Sequence, residues 1–243
     1  MIIDFAAFTD SGDRDQNEDN YAHTESPFGN CFIVCDGLGG HGKGEVASAF
    51  VSQCIKAYFE ECSNPDEFFE DCFDKAQDGL LAEQKSSHST FEMKTTAVVL
   101  YIGEDRFRFG HIGDSRLYHF RKNKVFERTM DHSVPQMLAL AGDIKEKQIR
   151  SHPDRNRLLR VMGVEWDTSK YELSDYLNVQ SGDAFLLCSD GFWEPITEKE
   201  MCKALKKSSN AQDWLEEMSR IVKANGEGTN MDNYTAIAVI CKE

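Results

Sequence analysis

No run of apolar residues in this chain approaches the roughly 18 that a membrane-spanning helix needs. The first residues, MIIDFAAFTD, lack the basic start of a secretory leader. A cytoplasmic protein with no membrane contact is the expectation. C-x-x-C is absent among the eight cysteines, which are scattered through apolar strand or helix patterns and read as buried, reduced thiols. No His-Cys pair precedes a glycine-rich loop and an arginine, which argues against a thiolate nucleophile. Positive charge is in deficit: 27 Lys plus Arg stand against 42 Asp plus Glu, a formal charge of −15. Such a surface repels nucleic acid phosphates. The same deficit means that an anionic substrate would need something positive in the site. No Pro-, Gly- or Ser-rich linker and no internal repeat interrupts the 243 residues, so one domain over 1–243 is expected.

What is present is ordinary for a soluble globular chain, with 40% hydrophobic and 28% charged residues. IIDFAAFT, NYAHTES and NCFIVCD read as three strands. Residues 44–61 read as a helix with Val46, Phe50, Ile55, Tyr58 and Phe59 as its apolar stripe, and 65–86 as a second helix with Pro65 near its start. TTAVVLYIG, RFRFGHIG and RLYHFRKNKVFERT follow as strands, the last folded back at Lys122-Asn123. Residues 133–165 read as short helices and loops, DAFLLCSDG as a buried strand, 197–208 and 211–224 as helices, and NYTAIAVICK as a closing strand. This order is α+β with antiparallel pairing, not the regular βαβ alternation of a nucleotide-binding domain.

CFIVCDGLGGHGKGEVASAF, residues 31–50, poses the main question. Gly37, Gly39 and Gly42 satisfy G-x-G-x-x-G, and Lys43 nearly completes a P-loop. A P-loop needs Ser or Thr after its lysine, however, and here Gly44 follows. Either nucleotide reading also sets Asp36 where phosphates would lie. The phrase recurs: CFIVCDG ends in Asp36-Gly37, RFGHIGDS in Asp114-Ser115, AFLLCSDG in Asp190-Gly191. One such Asp after a strand is a turn residue. Three, with NEDN at 17–20 and MDNY at 231–234, suggest carboxylates converging at one end of the strands. Convergent carboxylates repel one another unless a hard divalent cation lies among them. The loop is therefore better read as a metal loop.

The sequence at this point resembles the metal-dependent Ser/Thr protein phosphatases of the PPM or type 2C family. GDRDQNED at 12–19, VCDGLGGHGKGEVAS at 34–48, GHIGDSRLY at 110–118, DHSVPQML at 131–138, HPDRNRLLRVMG at 152–163, LLCSDGFWE at 186–194 and DNYTAIAV at 232–239 fall in the family's order. The resemblance implies an αββα sandwich of two stacked antiparallel sheets covered by helices. It implies two manganese or magnesium ions, with Asp36 as the ligand bridging them. The carbonyl of Gly37 and the carboxylate of Glu18 would serve one ion, with Asp19 beside it as ligand or acceptor. Asp190 and Asp232 would serve the other, and Asp114 with Asp190 a weaker third. Arg14 would grip the substrate phosphate, and Asn233 would support Asp232. Hydrolysis of phosphoserine and phosphothreonine in proteins would follow by direct attack of a metal-bridging hydroxide, with no phosphoenzyme. The ions would also answer the charge deficit. The implied partners are phosphoproteins made by a cognate Ser/Thr kinase, and a monomer is expected. The competing classes are a two-metal hydrolase of small phosphate esters and a catalytically silent phosphatase-like binding module.

Other residues near the motifs have plainer readings. His41 is offset from the position at which some members of the family carry a His after Asp-Gly, here Leu38, so it is a loop or supporting residue rather than the general acid. His132 and His152 read as structural, Arg116 as half of an ion pair, and Lys43 as a solvated charge. Asp10, Asp13, Asp15 and Asp131 read as turn and cap residues or as contributors to the field. Residues 133–165 resemble the family's flap and are expected to act on phosphoprotein selection more than on chemistry.

Overall fold

The computed structural model describes residues 1–39, 43–89, 92–166 and 170–243. Twelve strands and six α-helices follow in chain order. They are β1 (Ile2–Asp10), β2 (Asp19–Ser26), β3 (Gly29–Leu38), α1 (Gly44–Glu61), α2 (Pro65–Ser86), β4 (Lys94–Thr95), β5 (Ala97–Ile102), β6 (Arg106–Ile112), β7 (Arg116–Arg121), β8 (Lys124–Arg128), α3 (Val134–Ala141), β9 (Glu172–Leu173), β10 (Leu177–Asn178), β11 (Ala184–Cys188), α4 (Asp190–Trp193), α5 (Glu198–Lys207), α6 (Ala211–Gly226) and β12 (Tyr234–Lys242). One sheet runs β1-β12-β11-β7-β8. The other runs β10-β6-β5-β3-β2, with β4 on β3 and β9 on β6. The pairings within both sheets are antiparallel.

Alternation along the strands builds four layers. Phe32 and Val34 of β3 face the other sheet, where Phe185, Leu187, Ile237 and Val239 meet them. Cys31, Ile33 and Cys35 point the other way, onto Ala47, Val51, Ile55 and Phe59 of α1 and onto α2. Ala184, Leu186, Ala236 and Ala238 likewise back onto α5 and α6. Strands buried on both faces carry no polar side, which is why CFIVC and AFLLC read as continuous apolar runs. The expected αββα sandwich is the fold.

Helix starts follow local chemistry. Asn64 accepts from the Glu67 N–H with Pro65 next to it, and Thr197 and Glu200 cap one another. Lys122 and Asn123 both take positive φ, at 53° and 58°, as a tight hairpin turn requires. One detail of the helix stripe differs from the sequence reading. Ile55 and Phe59 are buried as expected, but Val46 is 42% exposed, and Ala47 and Val51 complete the buried stripe of α1 in place of Val46 and Phe50. The strand read over DAFLLCSDG stops at Cys188, where its apolar run ends, and Asp190 already opens the single turn α4. Between 133 and 165 lie α3, a 3-10 turn at Glu146–Ser151 and two bridges, Ser133 with Leu158 and Thr95 with Met162.

Candidate active site

The carboxylates singled out by the sequence come from five separate places and meet at one end of the sandwich. Asp19 begins β2 and is the register partner of Asp36 near the end of β3. Asp114 sits in the turn from β6 to β7, which crosses between the sheets. Asp190 follows β11, Asp232 precedes β12, and Arg14 and Glu18 lie in the β1–β2 connection. Arg14, Glu18, Asp36, Gly37, Asp114, Asp190, Asp232 and Asn233 share the wall of a cavity of about 370 Å³, with Gln16, Leu38, Gly39, Asn156 and Leu158 completing it.

Asp19 is the exception. It lies beneath the cavity, fully enclosed, where its Oδ2 accepts from Ser189 Oγ at 2.6 Å. Its Oδ1 is buried with no hydrogen-bond partner. Asparagine 233 works as a latch. Its Oδ1 accepts from the Glu18 N–H at 2.8 Å, and its Nδ2 donates to the carbonyls of Ser11 and Gln16 at 2.9 Å each. That holds the Arg14–Glu18 segment against the start of β12.

Burial and mutual repulsion push the acids upward. Burial lifts Asp36 well above the ordinary carboxylate range, and Asp19, Asp190, Asp114 and Asp232 add to it. Burial and then Asp190 raise Asp114 in the same way. Asp190 is pushed up to about 6 by burial and Asp232, and Asp19 to about 7, chiefly by burial. Glu18 is raised by burial and then by Glu45, against a hydrogen bond from the Gly44 N–H at the start of α1. A fold that holds so many acids together disfavours their charged forms unless a cation joins them. The donors on the wall are oxygens, with no sulfur or imidazole among the described lining residues, and Asp19 Oδ1 is unpaired. The residues fit hard divalent cations.

Arg14, expected to grip the substrate phosphate, has an acidic partner in the cavity. Its Nε and one terminal nitrogen donate to Asp232 Oδ1 and Oδ2, each at 3.0 Å. Both side chains are nearly half exposed, at 43% and 42%, so the pair is weak and can open. Two minor readings need correction. Lys43 donates to Ser89 Oγ and is not a free solvated charge. Asp131 is no cap: it is buried and takes Arg116 in a bidentate pair at 2.7 Å on each arm, while Arg116 also lies 3.4 Å from the Trp193 ring centroid. Asp10 does serve a turn, accepting from the Gly12 N–H; Asp13 instead accepts from the distant Met231 N–H and ties the β1–β2 connection to the segment before β12, and the His152 ring accepts from the Asp154 N–H. His41 lies outside the described residues.

Sequence reasoning passed over the hydroxyls that tie the carboxylate loops together. Thr96 Oγ1 accepts from the Asp36 N–H at 2.9 Å and bonds Ser115 Oγ at 2.7 Å. Ser189 Oγ, besides serving Asp19, accepts from the Thr235 N–H at 3.0 Å. Their signal was adjacency: Ser115 and Ser189 each flank a motif aspartate. Thr96 had only a polar residue within an apolar run to mark it.

Gly44 shows how tightly Glu18 is seated. A Cβ there would lie 2.7 Å from the Glu18 carboxylate. Gly44→Ala should therefore turn Glu18 away, press on the Gly37 backbone and weaken Mn2+ binding about tenfold, as disturbing the groups that orient a ligand does. Calorimetric titration of the variant checks this.

A profile of the protein phosphatase 2C family matches residues 11–234. The serine/threonine phosphatase stp of Listeria monocytogenes is 30% identical over 234 residues, covering 93% of this chain and 90% of that protein. The crystal structure of the serine/threonine phosphatase Stp1 from Staphylococcus aureus superposes with a TM-score of 0.89 at 27% identity, over 100% of this chain and 96% of that one. A solved catalytic domain of the phosphatase PstP, in complex with two manganese ions, shares the fold at a TM-score of 0.82 and 24% identity, over 99% of each chain. With the fold, the carboxylate-lined cavity and these matches together, the chain belongs to the protein phosphatase 2C family.

Proposed function

We propose that this chain is a metal-dependent protein phosphatase that hydrolyses phosphoserine and phosphothreonine in proteins. The observation that carries the proposal is the convergence of acids from separate connections on one cavity, with Arg14 at its rim. Two divalent ions, manganese or magnesium, would supply Lewis-acid stabilisation of the phosphoryl oxygens and a nucleophilic water at neutral pH. Asp36 would serve both ions. The Gly37 carbonyl and Glu18 would hold one, Asp190 and Asp232 the other, and Asp114 with Asp190 a weaker third. Asp19, locked by Ser189, would act from beneath and keep the Asp36 end of β3 in place.

Arg14 would leave Asp232 to meet the incoming phosphate, supplying two parallel N–H donors that remain on it as charge develops. Arg14→Lys keeps the charge but loses the fork, and kcat/KM for a phosphopeptide should fall about tenfold. Steady-state kinetics at saturating Mn2+ measure it. The segment 133–165 would act as a flap. Leu158 and Asn156 from it reach the cavity wall, so its side chains would meet the protein part of the substrate. Phosphoproteins made by a Ser/Thr kinase are the proposed substrates, and the catalytic unit is a monomer over 1–243. Among the described residues no helix is long and apolar enough to cross a membrane.

The direct test is phosphate release from a phosphothreonine peptide, with Mn2+ and then with excess chelator, beside a phosphosugar and a nucleotide. Release from the peptide that the chelator stops supports the proposal. Preference for the small esters would overturn it.

A further inference from the structure

Behind the Asp114 turn lies a cluster that the reaction as described does not use. His111 and His132 are 3% and 5% exposed, and their rings stack at 4.6 Å with planes 17° apart. Glu172 of β9 stands opposite His111 in register and brings a carboxylate oxygen to 3.2 Å from His132 Nε2. On the other side of the ring, the Gly113 N–H donates to His132 Nδ1 at 3.2 Å. The His132 N–H in turn donates to the Gly113 carbonyl at 2.9 Å, and the His132 carbonyl accepts from the Leu159 N–H at 2.8 Å. Gly113 takes φ +100°, and it immediately precedes Asp114.

The hydrogen bonds fix the ring's proton. A backbone N–H can only donate, so Nδ1 must present its lone pair to Gly113, and the proton must sit on Nε2. Glu172 is the acceptor that position needs. We propose that His132 is a positioning residue: with its proton held on Nε2 by Glu172, its Nδ1 anchors the Gly113 N–H and so aims the Asp114 carboxylate into the cavity. The ring stays neutral, since burial and then His111 push it down to about 4. Because the same residue pairs with Leu159, it also ties the 133–165 segment to the Asp114 turn.

Two imidazoles and a carboxylate could instead suggest a transition-metal site, as their ligand atoms lie within 4.8 Å of one another. An ion would need the Nε2 lone pair, moving the ring proton to Nδ1 against the Gly113 N–H. The Arg160 guanidinium, 3.3 Å from Glu172 and 3.4 Å from Nε2, would also face that ion. The hydrogen-bonded relay avoids both conflicts.

The inference rests on Asp114 holding a divalent ion, so its test separates the two. Nitrogen-15 NMR of the imidazoles should show His132 protonated on Nε2, with or without Mn2+. In calorimetric Mn2+ titrations, Asp114→Asn should lose the weakest binding event. His132→Leu, and His132→Gln, whose amide reaches only the Nε2 position, should weaken that event about tenfold. His132→Asn sets an acceptor oxygen where Nδ1 was and should remain within about threefold of the native protein. A proton on Nδ1, a Zn2+ equivalent that Glu172→Gln abolishes, or the same loss in Asn as in Leu would each overturn the relay. An Asp114→Asn protein that keeps every Mn2+ equivalent would remove the ion reading of Asp114, and the inference with it.

Discussion

In chelator, Asp36→Asn should melt above the native protein, and with Mn2+ restored it should turn over about 10³-fold more slowly or worse. The two effects have one cause. Asp36 lies on the cavity wall among Asp19, Asp190, Asp114 and Asp232, each of which raises the cost of its charge. The amide keeps the shape and removes the charge. Relief of this kind is commonly worth about 0.5–2 kcal/mol, and a kcal/mol moves Tm by roughly 2–4 °C in a chain of this size, so a rise of roughly 1–8 °C is expected. The same change removes the group placed to hold both ions. Asp190→Asn should behave alike. A folded, metal-replete Asp36→Asn protein with native turnover would place the chemistry elsewhere. A lower Tm in chelator would mean that the Asp36 charge is stabilised where it stands.

The second large effect is a change of sign in the pH dependence of stability. Asp190 is raised to about 6, and Asp19 and Glu194 to about 7, from an ordinary carboxylate value near 4. A carboxyl raised on folding contributes stability that is fully present below its unfolded pKa and is lost as pH climbs through its folded value. Asp36 and Asp114 shift in the same direction. His111 and His132, pushed down by burial, oppose this at acid pH, where the folded protein resists charging them. As pH passes the unfolded imidazole value of about 6.5 that opposition fades. Asp183, held low despite its burial by Arg121 and His119, is ionised throughout that range. Between about pH 6.5 and 7.5 in chelator the raised carboxyls therefore dominate, and Tm should fall as pH rises. Divalent ions bind the ionised carboxylates and release their protons, so with saturating Mn2+ Tm should rise over the same interval. Calorimetric melts at the two pH values, with and without the ion, settle it. Slopes of the same sign would mean that the acids are not what the ion engages.

Much of the fold was legible because its signals are local. The apolar runs of β3 and β11 have no polar face, since layers cover both sides of each sheet. Asn64-Pro65 and Lys122-Asn123 are punctuation that depends only on neighbouring residues. The one-position error at Val46 arose because both phases of α1 carry apolar residues, and only contact with the sheet chooses between them. β9 and β10, two residues each, have no period to read. They exist because β6 offers them an edge.

The acids of the site were legible as a repeated phrase, an apolar run followed by Asp and a turn. Their arrangement in depth was not. Nothing in DN at 19–20 says that Asp19 sinks beneath the cavity onto Ser189, and nothing in GDRD says that Arg14 reaches Asp232. Those facts depend on which strands become neighbours across the two sheets. The role of His132 was hidden for the same reason, since Gly113 and Glu172 lie far from it along the chain.

The most direct measurement is anomalous diffraction from crystals soaked in Mn2+. Two ions should lie at the cavity floor on either side of Asp36, one near Glu18 and the Gly37 carbonyl, the other near Asp190 and Asp232. A map with no ion among these groups, and with manganese only beside His111 and Glu172, would contradict the account.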